Sequence, residues 1–331
     1  MLNLAGVEIP SHVQGQPFLG RNLPPAREYV FGARDRMDER YDIIRMVRDQ
    51  RFKYLRNYEP LKTYYQYINT CEKGATMHEI RSRHDARQLG SEIESYFSPP
   101  KPVEELYDTR SDPHEMTNLV DNPAHARTLA RLRRAHLLWV KRTKDLGLIS
   151  EPLLVAREKT VSHRYGILRQ AGGDELAQRL ADTAVAASAG ESGMTRLVAA
   201  LHDSDATVRY WGAVGMGNLG RIAEPSVSRL IELLGDGEST VRIAAARALC
   251  HLGMADRALP TLAAELECGS QWERLQSAIV LDEIGEQARP LLAPMHAALH
   301  PRSTLFANGK YTVRVINRAL NELESTQRMV R

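Results

Sequence analysis

Arg34, Asp35 and Arg36 follow one another directly after a short apolar run, Tyr29-Val30-Phe31-Gly32-Ala33. Two guanidinium groups in so short a span suit an oxyanion, because the planar fork of arginine donates parallel hydrogen bonds to a sulfate, phosphate or carboxylate. The same three residues equally suit a solvated strand end whose charges pair internally. His78-Glu79 and His114-Glu115 each join a metal-ligating type to an acid–base type. The second lies within Asp112-Pro113-His114-Glu115, where a proline-containing turn accounts for it structurally. Cys71, Cys250 and Cys268 form no Cys-x-x-Cys pair and no zinc spacing, and their odd number argues against a disulfide framework. Cys250 sits in an apolar helical run and reads as a small core residue.

The elements that must position these groups differ between the two halves of the chain. Up to about Leu148 the sequence reads as α+β, a small antiparallel sheet with helices. Strands are expected at Glu28–Ala33, Ile43–Arg48, Arg51–Tyr58 and Glu105–Asp108, from apolar–polar alternation bounded by turn residues. The arginine pair then follows the first strand. A polar, partly helical stretch runs from Pro60 to Phe97. A helix over about Ala124–Lys144 places Leu129, Leu132, His136 and Trp139 on one face, and Asn118-Leu119 is expected to start or cap that region.

From about Asp174 onward the chain repeats. Val208-Arg209 and Val241-Arg242 open two segments that end at Gly220 and Gly253, a weaker copy runs from Glu273-Arg274-Leu275 to Gly285, and a fourth begins at Val313-Arg314. The closing glycines are 33 and 32 residues apart. Each unit reads as a short Leu-bearing helix, an acidic turn, a second helix with a small-residue face, and a glycine fit for a left-handed C-terminal turn. Asp205 and Ser239 are the expected N-caps, and Pro225, Pro260 and Pro290 the expected openers of the next unit. One such helix pair cannot bury its own apolar face, so neighbours must stack into an all-α solenoid. The domains expected are 1–150 and 151–331. His202, His251, His296 and His300 do not recur in phase with the repeat, which argues against a metal-bearing array.

Composition bounds the partners. The net charge is +3, with 26 Lys/Arg against 22 Asp/Glu in residues 1–160 and 18 against 19 in the remainder. That balance gives no basis for nucleic acid, and the mildly basic first half suits anionic ligands. Nine of the twelve Tyr precede residue 110, as on carbohydrate-facing surfaces or in ordinary sheet. No run approaches the roughly 18 consecutive apolar residues of a membrane helix, and Met1–Gly6 has no basic, apolar signal-peptide character. Neither a membrane nor nucleic acid is an expected partner.

Several segments resemble a known family. Leu4–Pro10 with Gln14–Leu19 resembles the closing stretch of a sulfatase catalytic domain, of which residues 1–20 would be a remnant. Met46–Tyr58 resembles the strand pair of the sulfatase C-terminal subdomain. Glu105–Asp108 with Asp112–Leu119 resembles that subdomain's signature, with N-sulfoglucosamine sulfohydrolase-like sulfatases as the nearest branch. The repeats are similar to HEAT-like repeats of the short variety. The resemblance implies an alkaline-phosphatase-like parent, formylglycine as nucleophile, calcium to neutralise the sulfate, a sulfated carbohydrate as substrate, and a periplasmic or secreted site of action. It places no catalytic residue in this chain. None of the cysteines is followed by Pro two residues on, and Ser98-Pro99-Pro100-Lys101-Pro102 has Pro where the modification motif needs Arg. The expectation is therefore a fragment or truncated product without nucleophile or calcium ligands, in which Arg34, Asp35 and Arg36 meet substrate. The alternative is a non-catalytic HEAT-repeat scaffold that binds a protein partner on the solenoid. An exposed apolar patch near residues 1–20 is expected where a larger sheet would dock.

Overall fold

The computed structural model describes residues 1–300, 309–328 and 330. Strands β1 (Val30–Met37), β2 (Arg40–Arg48), β3 (Phe52–Asn57) and β4 (Glu104–Asp108) form an antiparallel sheet in the order β1-β2-β3-β4. Helices α1 (Ala75–Asp85) and α2 (Ser91–Glu94) interrupt the connection from β3 to β4. After β4 come α3 (Ala126–Thr143) and α4 (Glu151–Glu158). The solenoid follows as α5 (Gly173–Ala186), α6 (Met194–Ala200), α7 (Ala206–Leu219), α8 (Val227–Leu233), α9 (Ser239–His251), α10 (Ala255–Cys268), α11 (Gln271–Glu283), α12 (Leu292–Ala298) and α13 (Lys310–Glu324). Among the described residues no helix is long and apolar enough to cross a membrane.

Alternation along the strands assigns each face of the sheet a different cover. On one face Val47, Tyr54 and Leu106 pack against Leu129 and Leu132 of α3, while Tyr41, Ile43 and Tyr58 join the buried cluster that continues through Leu148, Ile149 and Trp211 to Leu323. Sheet and solenoid therefore share one core. Trp211 is wholly buried, donates from Nε1 to the Leu148 carbonyl at 2.7 Å, and meets the Tyr58 ring edge-on at 5.9 Å. The opposite face carries Asp42, Asn57 and Glu105 under the 59–101 connection, where Lys101 donates to Asp42 at 2.5 Å and Tyr64 to Glu105 at 2.6 Å. His136 of α3 lies buried beneath the sheet, 3.2 Å from the Tyr58 hydroxyl. Burial, reinforced by Arg56 and Arg45, pushes its pKa down to about 4, so the ring is neutral at pH 7. Trp139 is only partly buried and stacks on Phe31 at 5.0 Å.

The Val-Arg positions of the repeats have a common mechanical role. Arg209 donates to the Asp203 and Ser204 carbonyls, Arg242 to the Asp236 carbonyl, and Arg274 to the Glu267 carbonyl. Each guanidinium thus holds the turn that precedes its own helix. Two of them also bridge to the next repeat, Arg209 to Asp236 at 2.8 Å and Arg242 to Glu265 at 2.5 Å. The closing glycines Gly220, Gly253 and Gly285 all have positive φ, as the repeat logic requires.

Several local expectations need correcting. Asp205 caps α7 by accepting from the Thr207 N–H at 2.8 Å, but Ser239 does not cap α9. The helix already begins at Ser239, so its hydroxyl lies inside the first turn and takes Arg242 at 2.7 Å. Pro225 and Pro290 sit in short 3₁₀ turns ahead of α8 and α12, whereas Pro260 lies inside α10, which starts directly after Met254 without such a turn. Asn118 pins the loop to β4 rather than starting a helix: it accepts from the Leu106 N–H at 2.9 Å and donates to the Glu104 carbonyl at 3.1 Å. Residues 1–29 form no helix or strand and leave Leu4, Val7, Val13, Phe18 and Leu19 exposed.

Close approach explains the glycines of α7. A Cβ on Gly212 would lie 3.1 Å from the Leu201 amide nitrogen and 3.2 Å from the Ala200 carbonyl carbon, backbone that cannot swing aside. Gly212→Val is expected to lower the unfolding free energy by about 2 kcal/mol, despite valine's better helix propensity. Urea denaturation checks this, and an unchanged midpoint would refute the packing argument.

Candidate ligand cleft between the sheet and the solenoid

The arginine pair singled out from sequence lies within β1 rather than after it. The strand runs on to Met37 because its register breaks between Arg34 and Arg36, opposite Ile44 and Tyr41, and then resumes pairing with β2. The irregularity sends the three side chains to different partners. Asp35 accepts from the buried Arg45 at 2.8 Å, and Arg45 also pairs with Asp145 at 2.6 Å. Arg36 pairs with Glu151 of α4 at 2.5 Å and lies 4.5 Å from the ring centre of Trp272, so it tethers the sheet to the solenoid. Arg34 keeps 37% of its side chain exposed, with Asp42 at 3.8 Å. His114 is exposed, and its neighbour Glu115 pairs with Lys53 at 2.6 Å.

A row of charges clamps the segment after β3 onto the second helices of the repeats. Glu59, 1% exposed, accepts from Arg247 of α9 at 2.9 Å, with Lys62 at 3.6 Å. Arg247 also reaches Glu283 of α11 at 2.7 Å. Burial works against ionising Glu59, but Lys62 and Arg247 outweigh it and hold the carboxyl down at about 2. Beside this cluster Arg40 of β2 pairs with Asp282 at 2.6 Å, and Glu39 faces Arg314 of α13 at 3.4 Å. The row formed by α9, α11 and α13 is thus partly covered by the first half of the same chain.

Next to the clamp a cleft of 540 Å³ opens between the 61–67 segment, α1, the Phe97–Pro100 loop and helices α9, α11 and α13. Its cationic lining is Arg40, Lys62, Arg81, Arg247 and Arg318, with His84 and His251; its acidic lining is Asp85, Asp282, Glu283 and Glu322. Tyr65, Tyr67 and Phe97 add half-buried rings. The Arg81 and Arg318 guanidiniums sit 5.8 and 5.7 Å from the centre of the Tyr67 ring. Sequence reasoning missed this site because its members span residues 40 to 322 and share no local motif. The Tyr-rich stretch Tyr64-Tyr65-Gln66-Tyr67 was the only available signal.

The class defined by this architecture is a small α+β unit docked on a helical-repeat solenoid. HEAT repeats match residues 194–282. An ulvan-active sulfatase of Formosa agariphila is 38% identical over 155 residues, covering 47% of this chain and 26% of that protein. A second ulvan-active sulfatase of the same organism is 26% identical over 173 residues, covering 47% of this chain and 30% of that protein. The chain thus joins a sulfatase-like region to HEAT repeats, and it spans less than a third of the length of these relatives. Formylglycine, as the sulfatase resemblance implies it, needs a Cys/Ser-x-Pro-x-Arg sequence, and calcium a cluster of oxygen ligands. Cys71, Cys250 and Cys268 lie outside any such sequence, burial pushes the Cys250 thiol up to about 11, and among the described residues no group of three His, Cys, Asp or Glu is placed to hold a metal ion.

The clamp makes a quantitative prediction. Arg247→Met strands the Glu59 carboxylate in a buried site and should cost about 3–5 kcal/mol in urea unfolding, with Glu59→Gln in the same chain restoring part of the loss. Because the folded Glu59 pKa lies below its ordinary 4.5, its contribution is complete above pH 4.5 and is lost as pH falls towards 2. Thermal melts across that window should show a smaller acid loss in Glu59→Gln than in the unaltered protein. An Arg247→Met protein as stable as the parent would show that the pair holds nothing together.

Proposed function

We propose that this chain is the non-catalytic, C-terminal portion of a sulfatase-type protein whose complete form hydrolyses sulfate esters or sulfamates on sulfated glycans. The likeness to the ulvan-active sulfatases over 155 residues carries this reading. The sheet unit supplies surfaces around a substrate, and the solenoid fixes their geometry. Within β1, Arg34 is the group that meets an anionic sugar, since Asp35 and Arg36 hold the sheet to its neighbours. The chain by itself supplies no formylglycine nucleophile, because no Cys/Ser-x-Pro-x-Arg occurs in it. Calcium and formylglycine belong to the complete protein. The site of action is periplasmic or extracellular, as the sulfatase resemblance implies.

The reading predicts no turnover. Incubation of the purified chain with a chromogenic aryl sulfate and calcium should release no more chromophore than a buffer blank, and mass spectrometry should find every cysteine unconverted. Hydrolysis above the blank, or a formylglycine residue, overturns the proposal.

A further inference from the structure

We infer that the cleft between the 61–67 segment and helices α9, α11 and α13 binds a sulfate-bearing oligosaccharide. The choice of a sulfated ligand rests on the function proposed above; the site itself rests on geometry. Arg40 is 4% exposed, lines the cleft, and has no hydrogen-bond partner for Nη2 among the described residues. Its other nitrogens are engaged, Nε with the Tyr67 carbonyl at 2.7 Å and Nη1 with Asp282 at 2.6 Å. A buried donor left unpaired costs about 1–3 kcal/mol, so a partner that supplies an acceptor is strongly favoured. The Nε of Arg318 and the Oδ1 of Asp282, buried atoms of two residues that line the same cleft, are likewise without partners among the described residues.

The combination selects the ligand class. Two unpaired guanidinium donors call for an oxyanion, which an arginine fork binds well. The unpaired carboxylate oxygen calls for a donor, which a bare sulfate or phosphate lacks and a sugar hydroxyl provides. The partly exposed rings of Tyr65, Tyr67 and Phe97 border the cleft, packed against Arg81, Arg318 and His84, and give its wall an apolar component against which the C–H surface of a pyranose can lie. The 540 Å³ volume falls in the usual range of about 300–1,000 Å³ for small-ligand sites. A sugar carrying a sulfate group satisfies donors, acceptor and rings together.

Isothermal titration of the full chain with a sulfated chondroitin tetrasaccharide, and with the same tetrasaccharide after desulfation, tests this. The sulfated form should bind at one site and weaken with added salt, and the desulfated form should bind at least about tenfold less tightly. Arg318→Gln and Tyr67→Ala should each weaken sulfated-ligand binding by about tenfold while leaving the melting temperature near that of the parent. Arg81→Gln, on the cleft wall with a part-exposed side chain, is a second probe used if either variant fails to fold, and the same loss is expected. No binding, equal binding of the desulfated sugar, or a loss confined to Arg34→Gln would overturn the assignment to this cleft. Hydrolysis of an aryl sulfate would overturn the proposed function without touching this result, so the two failures are distinguishable.

Discussion

Glu59 lies out of reach of water in the segment that leaves β3, and its charge has to be matched where it sits. Arg247 and Lys62 match it, and Arg247 in turn binds Glu283, so one carboxylate fixes the sheet unit against α9 and α11. Buried ion pairs of this kind contribute little net stability over a well-packed apolar contact, because both partners lose their hydration. Breaking one is costly, and that asymmetry gives them their value as registration marks. Arg40 with Asp282, Glu39 with Arg314 and Arg36 with Glu151 repeat the device along the same interface. The apolar cluster from Tyr41 to Leu323 supplies the driving force, and the charges select one alignment of sheet on solenoid.

That alignment creates the cleft. A connection of ordinary polarity, residues 59–101, is held over the polar face of the sheet by Lys101–Asp42 and Tyr64–Glu105, and its outer side is left facing α9, α11 and α13. Five cationic side chains gather there, each already paired with a carboxylate. The residual hydrogen-bonding capacity of Arg40, Arg318 and Asp282, rather than net charge, gives the cleft its chemical character.

Within the solenoid the same economy appears at a smaller scale. The arginine that recurs near the start of the second helix, beside valine in two of the units, donates to carbonyls of the turn before it that would otherwise lack donors. In the α12–α13 pair the corresponding Arg314 turns to Glu39 of the sheet instead. A repeat position can therefore be read for its local role, and still be redirected by what lies across the interface.

The sequence by itself determined the strands, the repeat period and the turn chemistry. Alternation, closing glycines and the Asp205 cap are short-range consequences of backbone geometry, and the four strands and the helix after β4 formed within a few residues of their expected bounds. It also carried the likeness to sulfatases and to HEAT repeats. Only the tertiary structure decided the fate of the charged residues. Asp35 and Arg36 looked like a ligand-facing pair with Arg34, yet a register break and the nearness of Arg45, Glu151 and Trp272 committed them to internal contacts. The cleft was illegible for the same reason. Arg40, Tyr67, Asp282 and Arg318 are far apart along the chain, and electrostatic partners are chosen by distance in space, which no local pattern encodes.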